Sequence, residues 1–327
     1  MMKQPLVVLT GPTAVGKTRL SIDLAKAVGG EIISADSMQV YRYMDIGSAK
    51  IRKEEMEGVP HHLIDVLDPR EEFHVQKFQQ MAKAAMEGIY ERGHIPILTG
   101  GTGFYIQAVL YDIDFTEEET GGSCRKELEQ YAKEHGPLAL HRRLEAVDPK
   151  SACAIHPNNV KRVVRALEYY EQTGEQMSLH NEKEREKASP YSFAYFVLNE
   201  DRRKLYEKID RRVDLMMEKG LVNEVQKLKD MGCDSHMISM QGLGYKEVLA
   251  YLNGEYSLNE AVYRIKRDTR HFAKRQITWF KRERNVIWVT KEAFQNDETK
   301  ILAFMLDHIE KLEGVSCFRN YSGDPDF

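Results

Sequence analysis

Cysteine is scarce in this 327-residue sequence. Cys124, Cys153, Cys233 and Cys317 are far apart and form no Cys-x-x-Cys pair. That pattern excludes a zinc ribbon and a disulfide framework and fits the reducing cytoplasm. No apolar run reaches the ~18 residues of a membrane span, so neither insertion nor export is expected. Internal repeats and low-complexity arrays are also missing, so the chain does not read as a solenoid. Excess positive charge is absent too: the formal net charge of −4 would argue against a nucleic-acid partner if charge were spread evenly. It is not. From Arg264 to Arg284 nine Lys or Arg residues face only Asp268 and Glu283, while acidic runs such as Glu117-Glu118-Glu119 lie elsewhere. A local basic face on a mildly acidic protein signals a polyanionic partner.

What is present begins with Gly11-Pro12-Thr13-Ala14-Val15-Gly16-Lys17-Thr18, a match to the phosphate-binding pattern G-x-x-x-x-G-K-[ST]. Leu6-Val7-Val8-Leu9 before it reads as a buried strand, and the stretch from Arg19 to Lys26 has helical apolar spacing. Backbone N–H groups of such a loop wrap a diphosphate, Lys17 neutralises it, and the Thr18 hydroxyl can ligate Mg²⁺. The alternative is a glycine-rich turn of no function.

The length allows one large domain or two ordinary ones, with a core that needs no staples. Short strands are expected at Glu31 to Ser37, where the strand ends in polar residues, and at Ile95 to Thr99, Phe193 to Leu198 and Ile287 to Val289. Helices are expected at Phe104 to Val109, Arg202 to Lys219, Leu221 to Asp230, Leu258 to Phe280 and Ile301 to Lys311. Strands alternating with helices imply a parallel sheet with its ligand at the strands' carboxyl ends, where Asp36, the phosphate loop and Gly100-Gly101-Thr102-Gly103 meet. The expected fold class is therefore α/β: a P-loop NTPase-like parallel sheet flanked by helices, with an inserted helical subdomain. The core would span 1–115 and 191–315 and the insert 116–190, with a tail at 316–327. Helices are expected in the insert at Lys126 to His135, Leu138 to Ala146 and Asn159 to Gln172, and Glu182 to Lys187 as a solvated surface stretch.

The strand that should end in a Mg²⁺-organising aspartate ends instead in Thr99-Gly100-Gly101-Thr102, which weakens a hydrolytic motor or switch. Asp36 beside the loop could act as general base toward an incoming hydroxyl or amine. It reads equally as a helix N-cap or an outer ligand of Mg²⁺. Thr102 is either a contact to bound diphosphate or an N-cap. Arg211 and Arg212 offer a fork for phosphate oxygens, or are solvated helix residues. The basic stretch from Arg264 to Arg282 reads as an RNA-binding helix or as an amphipathic helix with Phe272, Trp279 and Phe280 in the core. Lys161-Arg162-Val163-Val164-Arg165 adds a second basic element in the insert.

Six blocks in order carry a resemblance: the phosphate loop, Asp36-Ser37-Met38-Gln39-Val40-Tyr41, Gly100 to Tyr105, His156-Pro157-Asn158-Asn159-Val160-Lys161-Arg162, Gly242-Leu243-Gly244-Tyr245-Lys246-Glu247 and Thr269 to Gln276. Together they resemble the tRNA dimethylallyltransferase (tRNA isopentenyltransferase) family over roughly the first 285 residues. The resemblance implies transfer of the dimethylallyl group of dimethylallyl diphosphate to N6 of the adenosine 3′ of the anticodon, in tRNAs reading codons that start with U. It implies that Gly11, Pro12, Thr13, Ala14, Val15, Gly16, Lys17 and Thr18 bind the diphosphate, with Mg²⁺ on Thr18. Asp36, Thr102, Lys17 and Arg212 would be catalytic. The anticodon stem-loop would be met by Asp36, Ser37, Met38, Gln39, Arg125, Lys161, Arg162, Gly244, Tyr245, Lys246, Arg270, Lys274, Arg275 and Gln276, with the adenosine flipped into a tunnel between core and insert. A monomer acting in the cytoplasm is implied.

The sequence departs from the family at His271 and Phe272. The segment Gly121-Gly122-Ser123-Cys124 matches no recognisable pattern, and the zinc finger of some eukaryotic relatives is missing, which implies the bacterial type. Two rivals compete: a small-molecule kinase, which leaves the basic helix idle, and a passive RNA binder, which leaves Lys17, Thr18 and Asp36 idle. Related adenylate isopentenyltransferases, which prenylate a free nucleotide, would not need two basic elements.

Overall fold

The computed structural model describes residues 3–115 and 123–315. The acidic run at 117–119, Gly121, Gly122, Cys317 and the tail at 316–327 lie outside the described residues. Cys124, Cys153 and Cys233 are all free thiols.

In chain order, β1 (Gln4–Thr10) leads through the phosphate loop into α1 (Lys17–Val28), followed by β2 (Gly30–Ala35) and the two-residue β3 (His61–His62). Next come α2 (Val75–Glu91), β4 (Ile95–Gly100) and α3 (Gly103–Leu110). The insert supplies α4 (Ser123–His135), α5 (Pro137–Val147), α6 (Pro149–Ala154), α7 (Val160–Thr173) and α8 (Met177–Glu186). The chain then returns with β5 (Tyr191–Asn199), α9 (Arg202–Glu218), α10 (Leu221–Asp230), α11 (Tyr245–Leu252) and α12 (Leu258–Phe280). It ends with β6 (Val286–Thr290) and α13 (Glu298–Ile309).

All six strands form one parallel sheet in the order β3-β2-β4-β1-β5-β6. A parallel strand covered on both faces needs apolar residues at every position. Leu6, Val7, Val8 and Leu9 accordingly lie fully buried. Val7 and Leu9 pack with Leu20 and Leu24 of α1 and with Ile301, Met305 and Ile309 of α13. On the other side α2 and α3 lie against β4 and each other. Gly100 is in register with both Thr10 and Ala35, which levels the carboxyl ends of β1, β4 and β2. Their three loops therefore start side by side.

The contact pattern divides the chain into two compact units, Met1–Leu110 with Pro190–Phe327 and Tyr111–Ser189. The boundaries expected from composition lay at 115/116 and 190/191. Within the second unit Leu128, Leu140, Leu144, Val163 and Leu167 build a small core from helical spacing. Fully buried Asp148 caps α6 through the Ser151 N–H and also accepts from the Ser178 N–H and hydroxyl. The charged run at 182–187 lies at the surface, and up to Glu186 it forms part of α8, whose residues are all at least partly exposed.

Candidate active site

The phosphate loop is shaped by residues that can tolerate its backbone. Gly11 has φ +149°, and a Cβ there would lie 2.4 Å from the Leu198 carbonyl oxygen of β5, so only glycine lets the two chains approach. Lys17 opens α1, and its ammonium donates to the carbonyls of Gly11 and Pro12, both at 2.9 Å. Burial is the main force lowering the Lys17 pKa, neighbouring Arg212 adds to it, and Asp36 opposes both, which leaves it at about 7. Thr18 is exposed, and its hydroxyl has no hydrogen bond among the described residues.

Two hydrogen-bond bridges tie the neighbouring loops to this one. The Thr102 N–H donates to the Ala35 carbonyl at 3.3 Å, joining the loop after β4 to the one that begins with Asp36. The side-chain amide of Gln276, from α12, accepts from the Thr13 N–H and donates to the Gly101 carbonyl, both at 2.9 Å. Asp36 uses one oxygen, Oδ1, to accept from the N–H groups of Met38 (2.8 Å) and Gln39 (3.4 Å). Its Oδ2 has no such partner among the described residues. That is the geometry of an Asx turn, not of a helix N-cap. Thr102 does sit where an N-cap would, since its carbonyl accepts from Tyr105 and Ile106, yet its hydroxyl caps nothing. Ser37, Met38 and Gln39 follow as half-buried turn residues, with the Gln39 amide held between Ser34 and the Ser48 carbonyl.

Arg212 faces this cluster from α9. It is half-buried and has no hydrogen bond or ion pair among the described residues, its resolved interaction being the charge of Asp36. Burial lowers its pKa and Asp36 partly restores it. A guanidinium held dry without a fixed partner is primed for an anion. Thr18 and Arg212 border one groove of about 1330 Å³, which continues past Ile22, Ile51, Met56, Leu215 and Met216. Lys17, Asp36, Thr102 and Arg212 thus gather at one edge of the sheet. Arg211, the other arginine of the pair, is exposed.

The residues expected to hold RNA divide. Lys274 and Arg275 are exposed on α12, Arg275 lying over the Phe272 ring at 5.8 Å. Lys246 is 42% exposed and within 3.4 Å of Glu247. Lys161 and Arg162 are exposed in the first turn of α7, within the helical unit. The others are buried or paired within the protein. Gln276 is 5% exposed and both ends of its amide are used. Tyr245 is fully buried, donating to Glu224 at 2.7 Å and accepting from the Ser48 N–H. Buried Gly244, with φ +91°, starts α11. Arg270 is paired to Asp210 of α9, and Arg125 is paired within its own unit to buried Glu168. Of the aromatics, Phe280 is buried, and Trp279 packs on Gly103 and against Phe104.

Two residues went unnoticed in the sequence. Glu224 gathers the N–H groups of Asp45, Ile46 and Gly47, so α10 fixes the loop after Asp36. Lys291, buried just after β6, reaches the Val15 carbonyl at 3.5 Å from behind the phosphate loop. A charged residue beside the buried stripe of Leu221, Val225 and Leu228 was the only available signal for the first, and none marked the second.

The donor set suits Mg²⁺ carried by a polyphosphate. Among the described residues no group of three or more His, Cys, Asp or Glu could hold a metal by itself. Mg²⁺ at Thr18 would take that free hydroxyl, substrate phosphate oxygens and water, its usual arrangement. No helix among the described residues is long and apolar enough to cross a membrane.

Known proteins resemble this chain over most of its length. The IPP transferase family model matches residues 39–283. The tRNA dimethylallyltransferase of Lachnoclostridium phytofermentans is 61% identical over 310 residues, covering 95% of this chain and 99% of that protein. Among solved structures, the full-length tRNA isopentenylpyrophosphate transferase of Bacillus halodurans superposes with a TM-score of 0.71 at 46% identity, covering 94% of this chain and 98% of the other. A eukaryotic dimethylallyltransferase acting on tRNA gives 0.75 at 30% identity, over 88% and 74% of the two chains. With three-quarters of its length matched by the family model and near-complete relatives at this identity, the chain belongs to the IPP transferase family.

Proposed function

We propose that the protein transfers the dimethylallyl group of dimethylallyl diphosphate to N6 of the adenosine 3′ of the anticodon, in tRNAs that read codons starting with U. The products are N6-(dimethylallyl)adenosine and diphosphate. The observation that carries this reading is that Lys17 and Arg212 both feel the charge of Asp36, with the Thr102 turn tied to Ala35 next to it. Three groups suit a leaving diphosphate and one suits the proton of the incoming amine.

In the reaction, N6 attacks the allylic carbon, the bond from that carbon to diphosphate oxygen breaks, and the electron pair leaves with diphosphate. Negative charge grows on the leaving group, where the loop N–H groups, Lys17 and Arg212 stabilise it. Asp36 takes the N6 proton through Oδ2, while its Oδ1 stays anchored by two N–H groups. An exocyclic amine is a poor nucleophile, so positioning and proton removal must accompany displacement. The Thr102 hydroxyl contacts the reacting centre. Mg²⁺ on Thr18 would supply further charge neutralisation at the diphosphate. In the resting loop Lys17 is bonded to the loop's own carbonyls, and the anion exchanges those bonds for its oxygens.

Lys274, Arg275, Lys246, Lys161 and Arg162 supply phosphate contacts to the anticodon stem-loop. The protein would act as a monomer in the cytoplasm. The test is incubation with Mg²⁺, radiolabelled dimethylallyl diphosphate and unmodified tRNA carrying that adenosine, with AMP and ATP as parallel acceptors. Label in tRNA is expected. Label only in AMP or ATP would assign a free-nucleotide enzyme, and no label with any acceptor would return the kinase to first place.

A further inference from the structure

We infer that Gln276 is a positioning residue that holds the diphosphate loop in register with the Thr102 turn, and not an RNA contact. Its place beside Lys274 and Arg275 suggests the opposite. Those two point outward, however, whereas Gln276 is 5% exposed on the inner stripe with Ala273 and Phe280. The chemistry of its partners fixes which way the amide faces. The Thr13 N–H can only donate, so it meets Oε1; the Gly101 carbonyl can only accept, so it meets Nε2. One side chain therefore bridges the loop after β1 and the loop after β4.

These loops have separate tasks in the proposed reaction: one carries the leaving group and the other presents Thr102. Thr102 is in turn tied to Ala35, next to Asp36, by its own N–H. Without Gln276 the second loop keeps its tie to the Asp36 side but loses its side-chain tie to the diphosphate side. Misplacement of reacting groups by about 1 Å can cost ~10²-fold in rate. A second contact of α12 supports the same turn, since Trp279 occupies the space where a Cβ on Gly103 would stand, 2.2 Å from its Cδ1. The helix that carries outward cations thus also braces the catalytic loops from inside.

Gln276→Met keeps the length and removes both hydrogen bonds, and Gln276→Glu keeps the acceptor and loses the donor. Because this inference rests on the proposed reaction, three quantities should be measured on each variant and the wild type. These are kcat and KM for dimethylallyl diphosphate, the Kd for inorganic diphosphate with Mg²⁺ by calorimetry, and the Kd for tRNA by filter binding. We expect kcat/KM for the prenyl substrate to fall at least tenfold in both variants, with diphosphate affinity weakened, most in Gln276→Glu, and tRNA affinity within twofold of wild type. Gly101→Ala, which pushes on Nε2 from the other side, should reproduce the pattern if Gln276→Met proves too unstable. A loss confined to tRNA affinity would overturn the inference in favour of an RNA contact. Unchanged kinetics and diphosphate affinity would overturn it outright. Absence of transfer in the wild type would instead sink the proposed reaction, leaving diphosphate affinity to judge the bridge.

Discussion

Strand β2 has a carboxylate near each end, and the two are treated oppositely. Glu31, at the amino end, is 2% exposed and fully engaged: Arg92 donates to both oxygens at 2.8 Å, and His62 and His94 sit at 2.6 and 2.7 Å. Burial alone would raise its pKa, but these hydrogen bonds from Arg92, His62 and His94 outweigh it and hold the carboxyl at about 2. Asp36, just past the carboxyl end, has one oxygen anchored and the other without a hydrogen bond among the described residues, and its charge acts on Lys17 and Arg212. A satisfied buried charge locks neighbouring segments together, and a half-satisfied one is kept for a reaction. The same strand therefore stores stability at one end and chemistry at the other.

The sharpest way to break this comparison is at Asp36. Asp36→Ala should lower turnover by about 10²-fold or more while tRNA binding is retained, because a base acts mainly in the transition state. Single-turnover transfer and filter binding together check it, and near-normal turnover would remove the assigned role. Glu31→Gln should do the reverse, costing about 2 kcal/mol of stability with kcat unchanged well below the unfolding transition. That figure is kept modest because Arg92 and His94 are nearly half exposed. The folded-state pKa of Glu31 lies below its ordinary 4.5, so its contribution is present above that pH and lost as pH falls toward 2. Denaturant melts of the wild type should therefore weaken across that window more than those of Glu31→Gln.

A smaller effect is expected at Lys17. Its lowered pKa means that the free site loses its ammonium as pH rises past about 7, so diphosphate affinity should drop roughly tenfold from pH 6 to pH 8. Lys17→Arg stays protonated and should flatten the calorimetric profile; an equally steep profile in that variant would place the titration elsewhere. The smallest effect separates two kinds of cation on α12, outward and paired. Lys274→Ala should weaken tRNA binding a few-fold and reduce its salt slope by about one. Arg270→Ala, which only breaks a pair with Asp210, should leave the slope alone. Equal salt slopes in the two variants would erase the distinction between outward and paired cations.

How much of this was legible follows from the range of the interactions involved. The strand, loop and helix around Lys17 are contiguous, so their order alone announced them. Most core elements were likewise visible in apolar spacing, although α2 was overlooked despite its buried stripe at Phe78, Ala82, Met86 and Ile89. β3, only two residues long, carries no period to detect. The basic character of α12 was plain, but not which cations were free, because Asp210 and Asp214 arrive from α9 to pair with Arg270 and Lys266. The burial of Gln276 was masked by the company it keeps, although its spacing from Ala273 and Phe280 already placed it on an inner stripe. The Glu31 cluster needs His62 of β3 together with Arg92 and His94 from the turn before β4, and no local pattern joins these to Glu31.

The bridge between the loops also constrains how this sequence can drift. A Cβ on Gly101 would lie 2.2 Å from the Gln276 amide nitrogen, so any larger residue there evicts the amide and both its hydrogen bonds. A lineage that changes either position alone meets a crowded turn or two stranded backbone groups. Positions 101 and 276 should therefore be inherited as a pair, and a randomised library at both sites should recover joint replacements that neither single-site library contains.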